Sequence, residues 1–178
     1  KEAGKTVAII GAGGIGFDVG EFLTHAHDDR SEAERFNDEW GIDTGFANRG
    51  GLKAPVDETA PRRVFLLQRK SSKVGDGLAK TTGWIRRTLL KKRGVRMIGG
   101  VTYERIDDAG LHITVDGEPK TLAVDTVVIC AGQEPRRDLQ APLEAAGIAF
   151  SLIGGADVAA ELDAKRAIDQ GTRLAASL

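Results

Sequence analysis

The sequence has a single cysteine, Cys130, which excludes an internal disulfide, a cysteine-rich zinc site and a cysteine-ligated iron–sulfur cluster within this chain. It also has almost no net charge, because 25 basic side chains stand against 26 acidic ones. Such a balance gives no electrostatic reason to bind nucleic acid or an anionic membrane. No apolar run approaches the roughly 20 residues that span a bilayer, and no signal-peptide pattern opens the chain. We therefore expect a cytoplasmic protein without nucleic-acid or membrane partners, in which Cys130 is a core residue.

The most informative stretch is residues 7–16, where an apolar run ends in Gly-x-Gly-x-x-Gly. The run predicts a strand buried on both faces, and the segment after it has the apolar spacing of a helix. In this motif Gly11 allows a tight turn, Gly13 lets a pyrophosphate approach the backbone, and Gly16 lets the helix pack closely. Unpaired N–H groups at the start of the helix would bind the diphosphate. The residues of this predicted dinucleotide site are Gly11, Ala12, Gly13, Gly14, Ile15 and Gly16. The alternative is a plain tight turn in an α/β core.

Residues 24–63 form a long polar stretch punctuated by glycines. In a compact unit of this type the next strand follows the glycines by about 20 residues. Here the next strand pattern arrives about 50 residues on, so the stretch is an insertion in the first crossover. Phe36 and Trp40, four residues apart, indicate a short helix docked on the surface. Because a long loop without function is unusual, we expect a partner-facing or lid element; disorder of part of it is the alternative.

The second strand is predicted at residues 64–70, and its end bears on cofactor choice. NAD sites usually place an acidic residue here for the ribose 2′-hydroxyl, whereas NADP sites need cations for the 2′-phosphate. This chain has neutral Gln68 followed by Arg69 and Lys70, with Lys73 close behind. Arginine offers phosphate a planar fork and lysine a point charge. We predict that Gln68, Arg69 and Lys70 select NADPH; the alternative is a solvated basic turn.

Short apolar segments at residues 101–106, 111–115 and 120–124 predict an antiparallel β-meander over one face of the parallel sheet. Residues 126–132 predict another buried strand, which ends at a turn where Ala131 and Gly132 can border a ligand. The fold expected from this order of parts is α/β, a Rossmann-like parallel sheet with an antiparallel β-meander.

Beyond Pro135 the pattern changes, and the sequence predicts a C-terminal strand–helix segment of a second nucleotide-binding domain. The strand is expected at residues 149–153 and the final helix at residues 158–176, with Asp157 as its N-cap. The junction between them would present N–H groups to a second ligand, and an ordinary last helix is the alternative. The junction residues singled out are Gly154, Gly155, Asp157 and Val158.

The order of these parts resembles flavoprotein reductases with two nucleotide-binding domains. More narrowly, the chain is similar to the bacterial NADPH-dependent 2,4-dienoyl-CoA reductases, relatives of trimethylamine dehydrogenase and old yellow enzyme. The stretches that carry the resemblance are residues 8–18, 67–70, 80–85, 127–135 and 153–159. Lys-Thr-Thr-Gly-Trp at residues 80–84 and the Gln-Arg-Lys strand end are specific, whereas the glycine motif is shared very widely.

This resemblance implies a multi-cofactor enzyme of unsaturated fatty acid β-oxidation. In it NADPH reduces FAD, a 4Fe-4S cluster relays electrons, and FMN in an N-terminal barrel reduces the dienoyl thioester. Residues 1–133 would be the NADPH domain and residues 134–178 the closing segment of the FAD domain. Because the chain starts at Lys1 without Met, we expect an excised fragment, inactive alone and without catalytic residues. The FMN barrel, the cluster and the first half of the FAD domain would lie outside it.

The resemblance also implies roles for single residues. It places Asp18 near the nicotinamide carboxamide, with a plain helix-surface carboxylate as the alternative. Related flavoproteins have Asp where this chain has Gly155, so the backbone N–H groups of residues 155–158 are favoured over Asp157 as contacts to FAD. These groups were expected at the positive end of the last helix.

Two further alternatives concern function and metal. The first is the same module in another enone or amine reductase, or a non-catalytic NADP-binding module. The second is a metal at His25, His27 and Asp28, against which a solvated helix end is favoured, so no metal is expected.

Overall fold

A computed structural model describes residues 2–26, 29–160 and 162–178 of the chain. The strands are β1 (Thr6–Ile10), β2 (Arg63–Leu67), β3 (Arg96–Ile98), β4 (Val101–Asp107), β5 (Gly110–Val115), β6 (Glu118–Leu122) and β7 (Thr126–Ile129). The α-helices are α1 (Gly14–Thr24), α2 (Glu32–Trp40), α3 (Gly83–Lys92), α4 (Gln140–Ala145) and α5 (Ala164–Ser177). Across the described ranges, no helix has both the length and the apolarity needed to cross a membrane.

Strand β1 lies inside a four-stranded parallel sheet of order β3-β2-β1-β7. Its residues Val7, Ala8 and Ile9 are all 0% exposed. Val7 and Ile9 pack in one cluster with Phe17 of α1 and Leu90 of α3, and Ala8 packs in a second cluster on the other face. The apolar run at the start of the chain is therefore a strand buried on both faces, which confirms the prediction.

The other face of the parallel sheet is covered by an antiparallel sheet of order β4-β5-β6. Alternate residues of β5 are buried there, and Ile113, 1% exposed, packs in the same cluster as Phe65 and Leu67 of β2. The turn from β5 to β6 has positive φ at both Asp116 (53°) and Gly117 (81°), as a two-residue hairpin of type I′ requires. The predicted α/β fold, with its parallel sheet and antiparallel meander, is confirmed.

The insertion contains helix α2, as predicted, but the helix docks through charged side chains. Glu39 is 5% exposed, and its two carboxylate oxygens accept from Nε and Nη2 of Arg93, both at 3.0 Å. Phe36, by contrast, is 54% exposed and contacts the ring of Trp40 with centroids 6.2 Å apart. A buried bidentate ion pair to the end of α3 therefore anchors the insertion, a feature that the aromatic spacing did not indicate.

The chain divides into two compact units, Lys1–Ala131 and Gly132–Leu178. Among its described residues the second unit contains helices and no strand, so the strand predicted at residues 149–153 is wrong. A strand needs a neighbour to pair its N–H and C=O groups, and none lies within this unit. The final helix is confirmed but starts later: it begins at Ala164 with Asp163 as N-cap, not at Val158 with Asp157.

Candidate functional site

The carboxyl ends of β1, β2 and β7 meet at one edge of the parallel sheet. Ile10 is in register with Leu67 on one side and with Ile129 on the other. Just beyond the strands, the Gly11 N–H donates to the Leu67 carbonyl at 2.9 Å and the Cys130 N–H donates to the Ile10 carbonyl at 2.7 Å. Residues 11–16, 68–70 and Ala131, predicted as site residues from separate stretches of the sequence, are thus brought together at this edge.

The glycines of the turn are required for different reasons. Gly11 has φ of 110°, and a methyl group there would lie 2.5 Å from the Cys130 carbonyl oxygen. At Gly16 a methyl group would lie 1.8 Å from the Gly11 carbonyl oxygen, so this position fixes the close packing of helix on turn. At Gly13 and Gly14 a methyl group would meet no protein atom within 4 Å. Gly11 and Gly16 are therefore required by the fold, and the open space at Gly13 is available to a ligand.

Helix α1 starts beside this open space. Its N-cap, Gly13, has no side chain with which to cap the helix, and no acidic residue lies in the first turn. The first N–H groups of a helix have no partner inside it, and the helix dipole makes this end positive. Uncapped donors next to an open glycine fit a diphosphate, so the residues present match the dinucleotide that the motif implies. Ile15, in the same turn of the helix, is 53% exposed.

The loop after β2 carries exposed cations at the same edge. Arg69 and Lys70 are both exposed, while Gln68 is half-buried and its side-chain amide bonds within the loop. Burial raises the pKa of Tyr103 on β4, and the positive charge of Arg69 partly offsets that rise. The Tyr103 hydroxyl is buried without a hydrogen-bond partner among the described residues. Arg69 therefore lies near a tyrosine that sequence reasoning did not single out.

Asp18 lies on α1, and its side chain is 60% exposed. Its carboxylate accepts a hydrogen bond from Nη1 of Arg86 on α3, so it joins the two helices. The predicted contact to the nicotinamide remains a prediction.

Cys130, at the end of β7, is half-buried, and burial raises the pKa of its thiol above the usual value. The raised pKa disfavours the thiolate, and Cys130 packs, partly buried, against the core cluster of the sheet. Ala131 follows it, and a methyl group at Gly11 would lie 3.0 Å from the Ala131 nitrogen. Gly132 has φ of 85°, which makes the turn after the strand.

In the second unit, the residues 154–158 form a network of their own. Gly154 donates its N–H to Oε1 of Gln170 at 2.7 Å, and Nε2 of Gln170 donates to Asp157 Oδ2 at 3.0 Å. Arg137 donates from Nε and Nη2 to the Ala156 and Asp157 carbonyls, both at 2.6 Å. Gly155 lies in the same short 3₁₀ turn and Val158 just after it.

This network corrects the prediction that residues 155–158 lie at the positive end of the last helix. That end lies at Ala164, where the carboxylate of Asp163 accepts from the Arg166 N–H at 2.7 Å. Asp157 lies seven residues before the start of α5, and its carboxylate accepts from Gln170 on the helix.

No group of three or more potential metal ligands clusters in the part of the chain that the structure describes. Of the residues considered for a metal, His27 and Asp28 lie outside the described residues.

The sequence model of the pyridine nucleotide-disulphide oxidoreductase family matches residues 1–166. Among solved structures, the chain is similar to a 2-naphthoyl-CoA reductase in complex with 2-naphthoyl-CoA, with 20% identity over 96% of this chain and 21% of that one, at a TM-score of 0.64. It is also similar to histamine dehydrogenase from Rhizobium sp. 4-9, with 19% identity over 99% of this chain and 23% of that one, at a TM-score of 0.66. The chain thus spans about a fifth of the length of these proteins and shares their fold. Because the family match covers nearly the whole sequence, the chain belongs to the pyridine nucleotide-disulphide oxidoreductase family, which pairs NAD(P)H with a flavin.

Proposed function

We propose that the chain is the NADPH-binding, electron-entry portion of a flavin-dependent reductase. The observation that carries the proposal is the basic loop after β2, which lies at the same sheet edge as the uncapped start of α1. The Gly11 N–H bonds to the Leu67 carbonyl at 2.9 Å, so the turn and the loop are direct neighbours. A diphosphate at α1 would leave the adenosine ribose near Arg69 and Lys70. These two cations, with no acidic residue at the strand end, favour a 2′-phosphate over a 2′-hydroxyl.

When bound, NADPH supplies a hydride and FAD accepts it. The residues of this chain would bind the cofactor and orient it for the transfer. The N–H groups of the first turn of α1 hold the diphosphate, and Ala131 and Gly132 border the site at the end of β7. The proposed contact from Asp18 to the carboxamide would require its carboxylate to share Arg86 or to release it. The proposal assigns residues 1–133 to the NADPH domain.

We further propose that residues 134–178 close an FAD domain, whose first half lies outside this chain. Gly154, Gly155, Asp157 and Val158 would face the flavin. The late start of α5 means that a contact from this segment would come from the loop and not from a helix end. Within the loop, the Gly154 N–H donates to Gln170, and the N–H groups of Asp157 and Val158 donate to the Gly154 carbonyl, so the N–H groups of Gly155 and Ala156 would make that contact.

The parent enzyme that we propose is a 2,4-dienoyl-CoA reductase, with FMN and a 4Fe-4S cluster in a part of the polypeptide outside this chain. Support comes from Lys-Thr-Thr-Gly-Trp at residues 80–84 and from the Gln-Arg-Lys strand end. The likeness to the naphthoyl-CoA and histamine enzymes is one of fold, so a related enone or amine reductase remains the alternative within the class. A non-catalytic NADP-binding module is the alternative outside it.

The cofactor preference is tested by replacing both Arg69 and Lys70 with Ala. Loss of two charged contacts to the 2′-phosphate should weaken NADPH binding roughly 30- to 100-fold and change NADH binding less than about threefold. Isothermal titration of the 178-residue chain with each cofactor measures both values. The matched control replaces Lys120 and Arg173, two exposed cations elsewhere, and should change neither. If NADPH and NADH weaken alike, the assignment of the 2′-phosphate is wrong.

The electron-entry role is tested in the full-length flavoprotein that contains this chain. Rapid mixing with NADPH should bleach the flavin absorbance, and the variant lacking Arg69 and Lys70 should do so only at much higher NADPH concentration. Absence of any flavin reduction, with NADPH still bound, would favour the non-catalytic module.

A further inference from the structure

We propose that Gln68 is a positioning residue, which holds the loop of residues 69–75 in the shape that presents Arg69 and Lys70. Under this proposal it does not contact the cofactor itself, which differs from the direct role in NADPH selection predicted from its place at the end of β2. The inference rests on the proposed NADPH preference, and the structural argument for it comes from the bonds of one side chain.

The amide of Gln68 joins three points of the loop. Its Nε2 donates to the Lys70 carbonyl at 2.9 Å and to the Ser72 carbonyl at 2.7 Å, and its Oε1 accepts from the Gly75 N–H at 3.4 Å. Two acceptors on one side and a donor on the other fit only one orientation of the amide. Both Nε2 hydrogens and the carbonyl oxygen are thus engaged inside the loop, which leaves the amide no hydrogen atom for a ribose.

The loop so formed is tied to the segment between β3 and β4. The Lys70 carbonyl also accepts from the Gly100 N–H at 2.9 Å, and the Gln68 carbonyl accepts from the Val101 N–H at 3.0 Å. At Gly99 a methyl group would lie 3.2 Å from the carbonyl oxygens of both Lys70 and Ser72. The same two carbonyls that Gln68 binds from one side are therefore closely packed from the other.

The far end of the loop, at Gly75, packs against helix α1, which starts within the glycine motif. Gly75 has φ of 73°, and a methyl group there would lie 2.6 Å from the ring of Phe17, which is buried on α1. The Gly75 carbonyl accepts from Nη1 of Arg87 at 2.8 Å. Through its bond to Gly75, Gln68 fixes the basic loop relative to the helix whose start would bind the diphosphate.

This geometry explains why the residue is glutamine and not an acid. A carboxylate at position 68 has no hydrogen to donate, so its oxygens would face the carbonyl oxygens of Lys70 and Ser72. The arrangement is repulsive and would open the loop. In this chain the loop shape that offers Arg69 and Lys70 is thus incompatible with the acidic residue that NAD sites usually place here.

The experiment compares Gln68→Ala and Gln68→Glu in the full chain, with NADPH and NADH titrations and hydrogen exchange of residues 69–75. Gln68→Ala should weaken NADPH binding about tenfold and change NADH binding less than about twofold. It should also speed hydrogen exchange across residues 69–75. Gln68→Glu should weaken NADPH further and leave NADH equal or tighter. Gln140→Ala, which removes a glutamine bonded to Glu144 at 3.0 Å in the other unit, should change nothing.

A second variant keeps the test open if Gln68→Ala does not fold. Gly99→Ala crowds the Lys70 and Ser72 carbonyls from the opposite side and should likewise weaken NADPH selectively while speeding loop exchange. Two results overturn the inference. One is that Gln68→Ala changes neither hydrogen exchange nor NADPH affinity. The other is that it weakens the binding of NADPH and NADH equally without faster exchange, which would mean that Gln68 contacts the cofactor directly.

Failure of the proposed function is recognised separately. In that case the unaltered chain would bind NADPH no better than NADH, and replacing Arg69 and Lys70 would not change the ratio. An unaltered chain that prefers NADPH, combined with a silent Gln68→Ala variant, would overturn only the role of Gln68.

Discussion

Gly13→Ala should remove dinucleotide binding and leave the stability of the protein unchanged. Gly13 has φ of −81° and ψ of −173°, which alanine adopts readily, and a methyl group there meets no protein atom within 4 Å. The methyl group would occupy the open space beside the uncapped N–H groups of α1, where the diphosphate must approach. We expect affinity for NADPH and NADH to fall on the order of 100-fold, with the same melting temperature as the unaltered chain. Titration calorimetry and thermal unfolding measure the two quantities.

The matched variant is Gly16→Ala, in which the same methyl group is added three residues along the motif. There it would lie 1.8 Å from the Gly11 carbonyl oxygen, so helix and turn must separate. We expect a loss of about 3 kcal/mol or more in unfolding free energy, measured by denaturant titration. A Gly13→Ala variant that is destabilised as strongly, or that still binds both cofactors normally, would contradict the assignment of Gly13 to the ligand.

Glu39→Ala should be the most destabilising single change in the insertion. The side chains of Glu39 and Arg93 are 7% and 6% exposed, so removal of the carboxylate leaves a buried guanidinium without its bidentate partner. Breaking such a buried pair costs about 3–5 kcal/mol. Urea unfolding measures the loss, and limited proteolysis should cut the insertion faster because α2 is released from α3.

The control for this prediction is Asp169→Ala, which breaks an exposed ion pair with Arg173 on α5. Solvent screens that pair, so the melting temperature should change little. Replacing Glu39 and Arg93 together by Leu and Met should restore much of the stability lost in Glu39→Ala, because no buried charge then remains. If Glu39→Ala and Asp169→Ala lowered the stability of the protein equally, the burial of the Glu39–Arg93 pair would not explain the importance of Glu39.

The sequence was sufficient for features that depend on local spacing. The apolar run before Gly11 and the hairpin at Asp116 and Gly117 are encoded within a few residues, so strand, turn and meander were predictable. Contacts between distant residues were not. Glu39 and Arg93 lie 54 positions apart, and nothing in either neighbourhood identifies the other.

The start of the last helix was predicted wrongly, whereas the role of Gln68 as a cofactor contact stays a prediction. Asp163 and not Asp157 caps the helix, because residues 154–156 form a separate 3₁₀ turn and α5 begins only at Ala164. The sequence predicts Gln68 as a cofactor contact because it follows a strand beside two cations. Its actual partners are backbone carbonyls, whose direction depends on how the loop folds and not on which side chains it carries.

The parallel pairing of β1 has a consequence for how the protein reaches this structure. Val7 pairs with Val64 on one side and with Thr126 on the other, so the central strand finds both neighbours far along the chain. Closing such long loops is entropically unfavourable before the contacts form, and folds rich in distant pairings fold slowly. The anchoring of α2 to the end of α3 joins two distant points of the chain and thereby shortens the path that remains. That shortening applies to the closure of β1 on β7, since the insertion itself lengthens the loop between β1 and β2.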